Sequence, residues 1–188
     1  MLGIINLMKI EQTEIKDVKI IRPSVYKDLR GAFFETFKST LFESCELPNN
    51  FHQDNQVRSK KDVLRGLHYQ LKNPQGKLVQ VVLGSILDVA VDIRLGSPTF
   101  GKYHLVELSS KNKKIFYIPE GFAHGYLVMS EKSIVSYKCT NLYNPKDEFG
   151  IKWNDKTIGI DWGNNSPTIS NKDDNLPFLK DQKFLPKY

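Results

Sequence analysis

The stretch that decides the fold is Lys77–Arg94, KLVQVVLGSILDVAVDIR. Two short runs rich in Val, Leu and Ile meet at Gly84-Ser85, and each reads as a β-strand. The signature recurs in both directions: DVKIIRP (17–23), GAFFETF (31–37), VLRGLHYQ (63–70), KYHLVELS (102–109), KIFYIP (114–119), AHGYLVM (123–129) and SIVSYKCT (133–140). Turn-forming NPQG, GSPTFG, SSKNK, PEG and NPKDE separate the runs. Helical periodicity is nearly absent; STLFESCEL, Ser39–Leu47, predicts one short helix capped by Ser39. Closely spaced strands with short turns predict an all-β jelly-roll barrel with a few short helices. One domain is expected over 1–188, with a core of about 17–145. After Pro145 the alternation decays, so 146–188 reads as an arm over the barrel.

The chain has 188 residues, 40% hydrophobic, with a net charge of +6. That length builds a core without metal or disulfide staples. The lysines are scattered, with no basic helix or tail, so neither nucleic acid nor membrane is expected as a partner. The positive balance instead suits a small anionic ligand. Two cysteines, Cys45 and Cys139, form no disulfide framework, and the N-terminus carries no basic-then-apolar leader. A cytoplasmic protein is expected.

VLRGLHYQ raises the functional question, because Arg65, His68 and Gln70 interrupt an apolar strand. Alternation puts Leu64, Gly66, His68 and Gln70 on one face and Arg65 on the other. A bulge at Gly66 would re-aim one of them. In SIVSYKCT, Val135, Tyr137 and Cys139 share a face, which can project the Tyr137 hydroxyl inward. A lone inward His or Tyr is usually a satisfied core residue. His68, Gln70, Lys77 and Tyr137, with Arg65 and His124 as further candidates, are too many polar groups for a small packed barrel. Left unpaired they would cost roughly 1–3 kcal/mol each. A polar cavity holding a polar ligand is the simpler account.

His124 lies in PEGFAHGY, a Pro-x-Gly-x-x-His turn typical of the second metal-binding motif of cupins. The first cupin motif usually supplies His-x-His; here the matching stretch is LHYQ. Two histidines fall short of the three or four ligands of a stable site, and His52 and His104 have no ligand spacing to them. No metal and no cofactor are expected.

DLRGAFFETF, FHQDNQVRS, VLRGLHYQ, the block from Pro74 to Tyr103, IPEGFAHGYLV, YKCTNLYNPKDEFGIKWND, IGIDW and SNKD occur in one order from about Arg22 to Asp173. In this combination the chain resembles the dTDP-4-dehydrorhamnose 3,5-epimerases, metal-free cupin enzymes. The resemblance implies a homodimer acting on dTDP-4-dehydro-6-deoxy-D-glucose. It implies His68 as base, Asp173 as the acid orienting it, Tyr137 as general acid and Lys77 beside the sugar C4 oxygen. It further implies Tyr143 stacking on thymine, and Arg30, Glu35, Gln53, Asn55, Arg65, His124, Glu148 and Lys172 contacting nucleotide and diphosphate. Arg30 or Glu35 would serve the partner's site. SNKDDN offers both Asp173 and Asp174, and spacing from Lys172 favours Asp173. The family often reads Asn-His-Ser-Arg-Ser where this chain has NQVRS, so Gln56 and Val57 depart from it.

The chemistry accounts for the residue types. A ketone at C4 acidifies C3 and C5, and inversion needs a base on one face and an acid on the other. A cation at the C4 oxygen stabilises the enolate more than the ketone. Arginine forks suit a diphosphate. Three rivals remain: an epimerase acting at C3 or C5 alone, a non-catalytic nucleotide-sugar-binding cupin, and a metal-dependent cupin oxygenase.

Overall fold

The computed structural model describes residues 8–188. Residues 1–7, on which the absence of a leader was partly read, lie outside it. The strands are Met8–Gln12 (β1), Lys19–Pro23 (β2), Tyr26–Asp28 (β3), Gly31–Phe33 (β4), Gln53–Lys60 (β5), Leu64–Gln70 (β6), Lys77–Leu83 (β7), Ser85–Asp92 (β8), Tyr103–Ser109 (β9), Ile115–Ile118 (β10), Phe122–Val128 (β11), Lys132–Cys139 (β12) and Glu148–Gly150 (β13). Among the described residues, two short helices span Ser39–Ser44 (α1) and Asn171–Asp174 (α2), and a 3-10 turn spans Leu179–Asp181.

Two antiparallel sheets face each other, ordered β1-β2-β10-β7-β12-β5 and β13-β6-β11-β8-β9, with β3-β4 as a separate hairpin. This is the cupin-type jelly roll that the strand pattern predicts. Val79, Val81, Phe116 and Val135 of one sheet pack against Ile86, Ala90, Val106, Phe122 and Tyr126 of the other. Outside the second sheet, Val89, Val91 and Leu127 are covered by Ile151, Ile158, Trp162 and Leu179 of the C-terminal arm. Outside the first, Ile21, Leu78 and Ile115 are covered by Phe42 and Leu47. Strands buried on both faces lose polar alternation, which explains the nearly continuous apolar runs at Lys77–Arg94.

The helix is shorter than predicted, and Ser39 is not its cap. Lys38 occupies the N-cap position with extended backbone and no side-chain cap, so Ser39 is already helical. The Lys38 carbonyl accepts the amides of Leu41 and Phe42. The helix stops at Ser44, and Glu46 turns left-handed at φ 56°.

Strand β6 departs from strict alternation. Against β11, His68 pairs with His124 but Arg65 pairs with Tyr126, so three steps on β6 match two on β11. This bulge shifts the phase and puts Arg65 on the same face as His68. Leu64, expected beside His68, borders the cavity but is also part of the cluster under the arm. Gly66 sits at the bulge with φ +119°, and a Cβ there would lie 2.5 Å from Gly125 Cα. Gln70 does not serve the cavity. Its side chain donates to the Asn73 and Leu142 carbonyls and accepts the Asn144 amide, fastening two loops.

The arm docks on β6 through backbone bonds. The Leu64 amide donates to Thr168 O at 2.9 Å, and Leu67 and Ile151 exchange both bonds. Strand β13 was not foreseen as a strand; it pairs with β6 so that Gly150 faces His68. This docking carries Ser170–Asp173 to the barrel mouth.

Candidate active site

A cavity of about 500 Å³ opens between the two sheets. His68 and Arg65 reach it from β6, His124 and Tyr126 from β11, Lys77 from β7, Tyr137 from β12, and Lys172 and Asp173 from α2. His68 and Tyr137 thus enter one space from opposite sheets, the strand placement that alternation allows.

Asp173 Oδ1 is 2.9 Å from His68 Nε2. Its Oδ2 accepts the Gly66 amide at 3.1 Å. Ser170 caps α2 by accepting the Asp173 amide, which fixes where the carboxylate starts. Burial works to raise the Asp173 pKa, but the bonds from His68 and Gly66 outweigh it and hold the carboxyl below its ordinary value. Asp174 points elsewhere, 3.5 Å from Lys152 Nζ. With Nε2 donating to a carboxylate, the imidazole keeps its lone pair on Nδ1.

His124 makes a second such pair: its Nε2 lies 2.7 Å from Asp88 Oδ1, and Asp88 is fully buried. Burial lowers the His124 pKa against the opposing pull of Asp88. Burial also lowers the Lys77 pKa, opposed by the charges of Glu148 and Asp88, and raises that of Tyr137. A phenol that holds its proton suits donation, and a buried ammonium suits an oxyanion partner.

Glu148 sits near the rim. Its Oε2 accepts from Tyr143 Oη at 2.8 Å and from Lys172 Nζ. Burial raises its pKa, but Lys172 and Tyr143 outweigh that and bring it below the ordinary value. The Tyr143 amide donates to Gln53 Oε1 at 2.7 Å, and Gln53 Nε2 donates to Asn55 Oδ1 at 2.9 Å. Gln53 therefore anchors the segment that carries the aromatic ring.

Six expected residues do not line this cavity: Gln53, Asn55, Tyr143 and Glu148 form the hydrogen-bonded group just described, and Arg30 and Glu35 make their contacts elsewhere. Arg30 lies on the β3-β4 hairpin, its side chain 90% exposed and paired with Asp28. Glu35 lies 3.7 Å from Lys38 Nζ. Sequence reasoning passed over Asp88, although a carboxylate at an inward position of an apolar strand was a readable signal. It also passed over Ser59, whose Oγ accepts from Arg65 Nε at 3.2 Å and so leaves the two terminal nitrogens for a ligand. Val57, one of the two departures, lines the apolar side of the cavity with Val63 and Ile169.

The family model described as dTDP-4-dehydrorhamnose 3,5-epimerase matches residues 12–181. A dTDP-4-dehydrorhamnose 3,5-epimerase of Methanothermobacter thermautotrophicus is 52% identical over 151 residues, covering 80% of this chain and 82% of that protein. One from Shigella flexneri is 50% identical and covers 95% and 97%. The crystal structure of the Legionella pneumophila dTDP-6-deoxy-D-glucose-3,5-epimerase with dTDP-4-keto-L-rhamnose superposes with a TM-score of 0.93 at 48% identity, covering 96% of this chain and 98% of that one. Matched along nearly its whole length in sequence and fold, the chain belongs to the dTDP-4-dehydrorhamnose 3,5-epimerase family.

Proposed function

We propose that this chain inverts C3 and C5 of dTDP-4-dehydro-6-deoxy-D-glucose to give dTDP-4-dehydro-L-rhamnose. One observation carries the reading: His68 and Tyr137 enter one cavity from opposite sheets, with Lys77 in the same wall. Nδ1 of His68 removes the α-proton, since Nε2 is committed to Asp173. The electron pair moves onto the C4 oxygen, where Lys77 meets the negative charge. Tyr137 returns a proton from the other side, and ring inversion presents the second carbon to the same pair. The reaction is redox-neutral and moves only protons, so the reading needs no cofactor.

Arg65 and Lys172 take the diphosphate and Tyr143 the thymine, which fixes the small sugar in register. Gln53, Asn55, Glu148 and His124 complete the contacts. The exposed hairpin with Arg30 and bare Tyr26, Leu29 and Phe33 supports a homodimer in which Arg30 and Glu35 serve the second copy's site. The two free cysteines support a reducing, cytoplasmic setting.

The test is turnover of dTDP-4-dehydro-6-deoxy-D-glucose in deuterated water. Deuterium at both C3 and C5 with inversion at each is expected. Label and inversion at one carbon alone would replace this reading with a single-centre epimerase. Binding without any exchange would leave only a nucleotide-sugar-binding protein.

A further inference from the structure

Glu148 divides its two oxygens between different partners. Oε2 accepts from Tyr143 and Lys172 at the rim, while Oε1 lies 4.0 Å from His68 Nδ1. The Glu148 side chain is 13% exposed and that of Lys172 is 58% exposed, so the carboxylate spans from the partly exposed imidazole to the open rim.

Two inversions in one cavity pose a problem of proton disposal. Each abstraction leaves a proton on His68 Nδ1, and each return leaves Tyr137 as phenolate. His68 must be neutral again before the second abstraction, while the sugar still fills the cavity. The Nε2 side offers no way out, because Asp173 is buried at 4% exposure and already holds the Gly66 amide. The charged and titratable groups around His68 are Asp173 and Lys172 on α2, Glu148 on β13, His124 and Tyr126 on β11, Tyr137 on β12, Lys77 on β7 and Arg65 on β6 itself. Of these, Glu148 is the carboxylate beside Nδ1.

We propose that Glu148 is the proton outlet of His68, discharging the base between the two inversions. This rests on the reading of His68 as the base. The Nδ1–H bond of the imidazolium breaks and its electron pair stays on the nitrogen. The proton bonds to Glu148 Oε1, a small rotation of either side chain closing the 4.0 Å gap. Glu148 then passes it to bulk water beside Lys172. The Tyr137 phenolate takes one proton from solvent, so each cycle consumes none. The bonds from Tyr143 and Lys172 hold Oε2 and aim Oε1 inward; the carboxylate acts through His68, not on the sugar.

The test is Glu148→Gln, which keeps the shape and an acceptor oxygen but takes no proton. With dTDP-4-dehydro-6-deoxy-D-glucose at saturation in deuterated water, rapid quenching follows inversion and label at C3 and C5. Glu148 also holds Tyr143 and Lys172 of the nucleotide site, so any loss of binding slows both inversions together and the reading is their ratio. The second inversion should slow tenfold or more relative to the first, so that singly inverted sugar accumulates above its wild-type level. Added formate should restore the second step in proportion to its concentration, which a merely structural role would not produce. Equal slowing of both steps, or no response to formate, overturns the outlet. His68→Ala run in parallel separates the two readings: it should lose exchange at both carbons, and retained exchange would overturn His68 as the base.

Discussion

His68 Nε2 and Asp173 Oδ1 lie 2.9 Å apart although 105 residues separate them in the chain. The arm docked on β6 closes that gap, and the bond decides which ring nitrogen does chemistry. Replacing the carboxylate by an amide removes the charge that favours Nε2–H and stabilises the imidazolium. Asp173→Asn should therefore lower kcat by roughly 10²–10⁴-fold with little change in dTDP affinity measured by calorimetry. Asp174→Asn should stay near wild type, because its side chain faces Lys152 outside the cavity.

Tyr137 stands on the wall opposite the base, so its loss should separate exchange from inversion. In Tyr137→Phe, His68 still removes a proton and can return only to the same face. Deuterium should then wash into the substrate while inversion falls by roughly 10²–10⁴-fold. Mass spectrometry of recovered sugar reads the first quantity and NMR coupling constants the second. Exchange and inversion falling in parallel would remove Tyr137 from the acid role.

What the sequence reveals of the fold and the site depends on the range of the forces involved. The sheets were legible because alternation and turn residues act locally, as in SIVSYKCT, where Val135 and Tyr137 share a face. The partnership of Arg65 with His68 was not, because it depends on a register shift against β11. Strand β13, three residues long, has too little pattern of its own and exists through its pairing with β6. Asp173 was reached through resemblance, since nothing near SNKD points toward residue 68. Arg30 shows the reverse case: resemblance named it, and one chain leaves it on an exposed hairpin.

Lys77 is buried, and no carboxylate lies within ion-pair distance of it among the described residues. Burial depresses its pKa, so the unfolded chain binds more protons than the folded one between the folded value and the ordinary value near 10.5. Stability from this group therefore rises with pH across that window. Lys77→Met removes the penalty and should be more stable than wild type at pH 7. The advantage should shrink as the pH approaches 10.5, as followed by urea unfolding at each pH. The same variant should lose roughly 10²–10³-fold in kcat, since the enolate loses its cation. A variant that gains stability and loses activity is the expected mark of a residue kept for chemistry.

The bulge that joins Arg65 to His68 depends on Gly66. A methyl group there would meet Gly125 Cα at 2.5 Å and His124 O at 2.7 Å, both backbone atoms that cannot swing aside. The residue also sits at φ +119°. Gly96 has a positive φ of +89° but open space around it. Gly96→Ala should therefore cost about 1–2 kcal/mol, the conformational part alone. Gly66→Ala should cost about 3 kcal/mol or more, because strain and overpacking add. Urea midpoints of the two variants measure the difference. Where Gly66→Ala still folds, the strands must part or slip at the bulge, turning Arg65 away from the cavity. Its affinity for dTDP should then fall while its affinity for thymidine, which lacks phosphate, stays close to wild type. Equal loss for both ligands would mean that the bulge shapes the whole cavity and not the aim of Arg65.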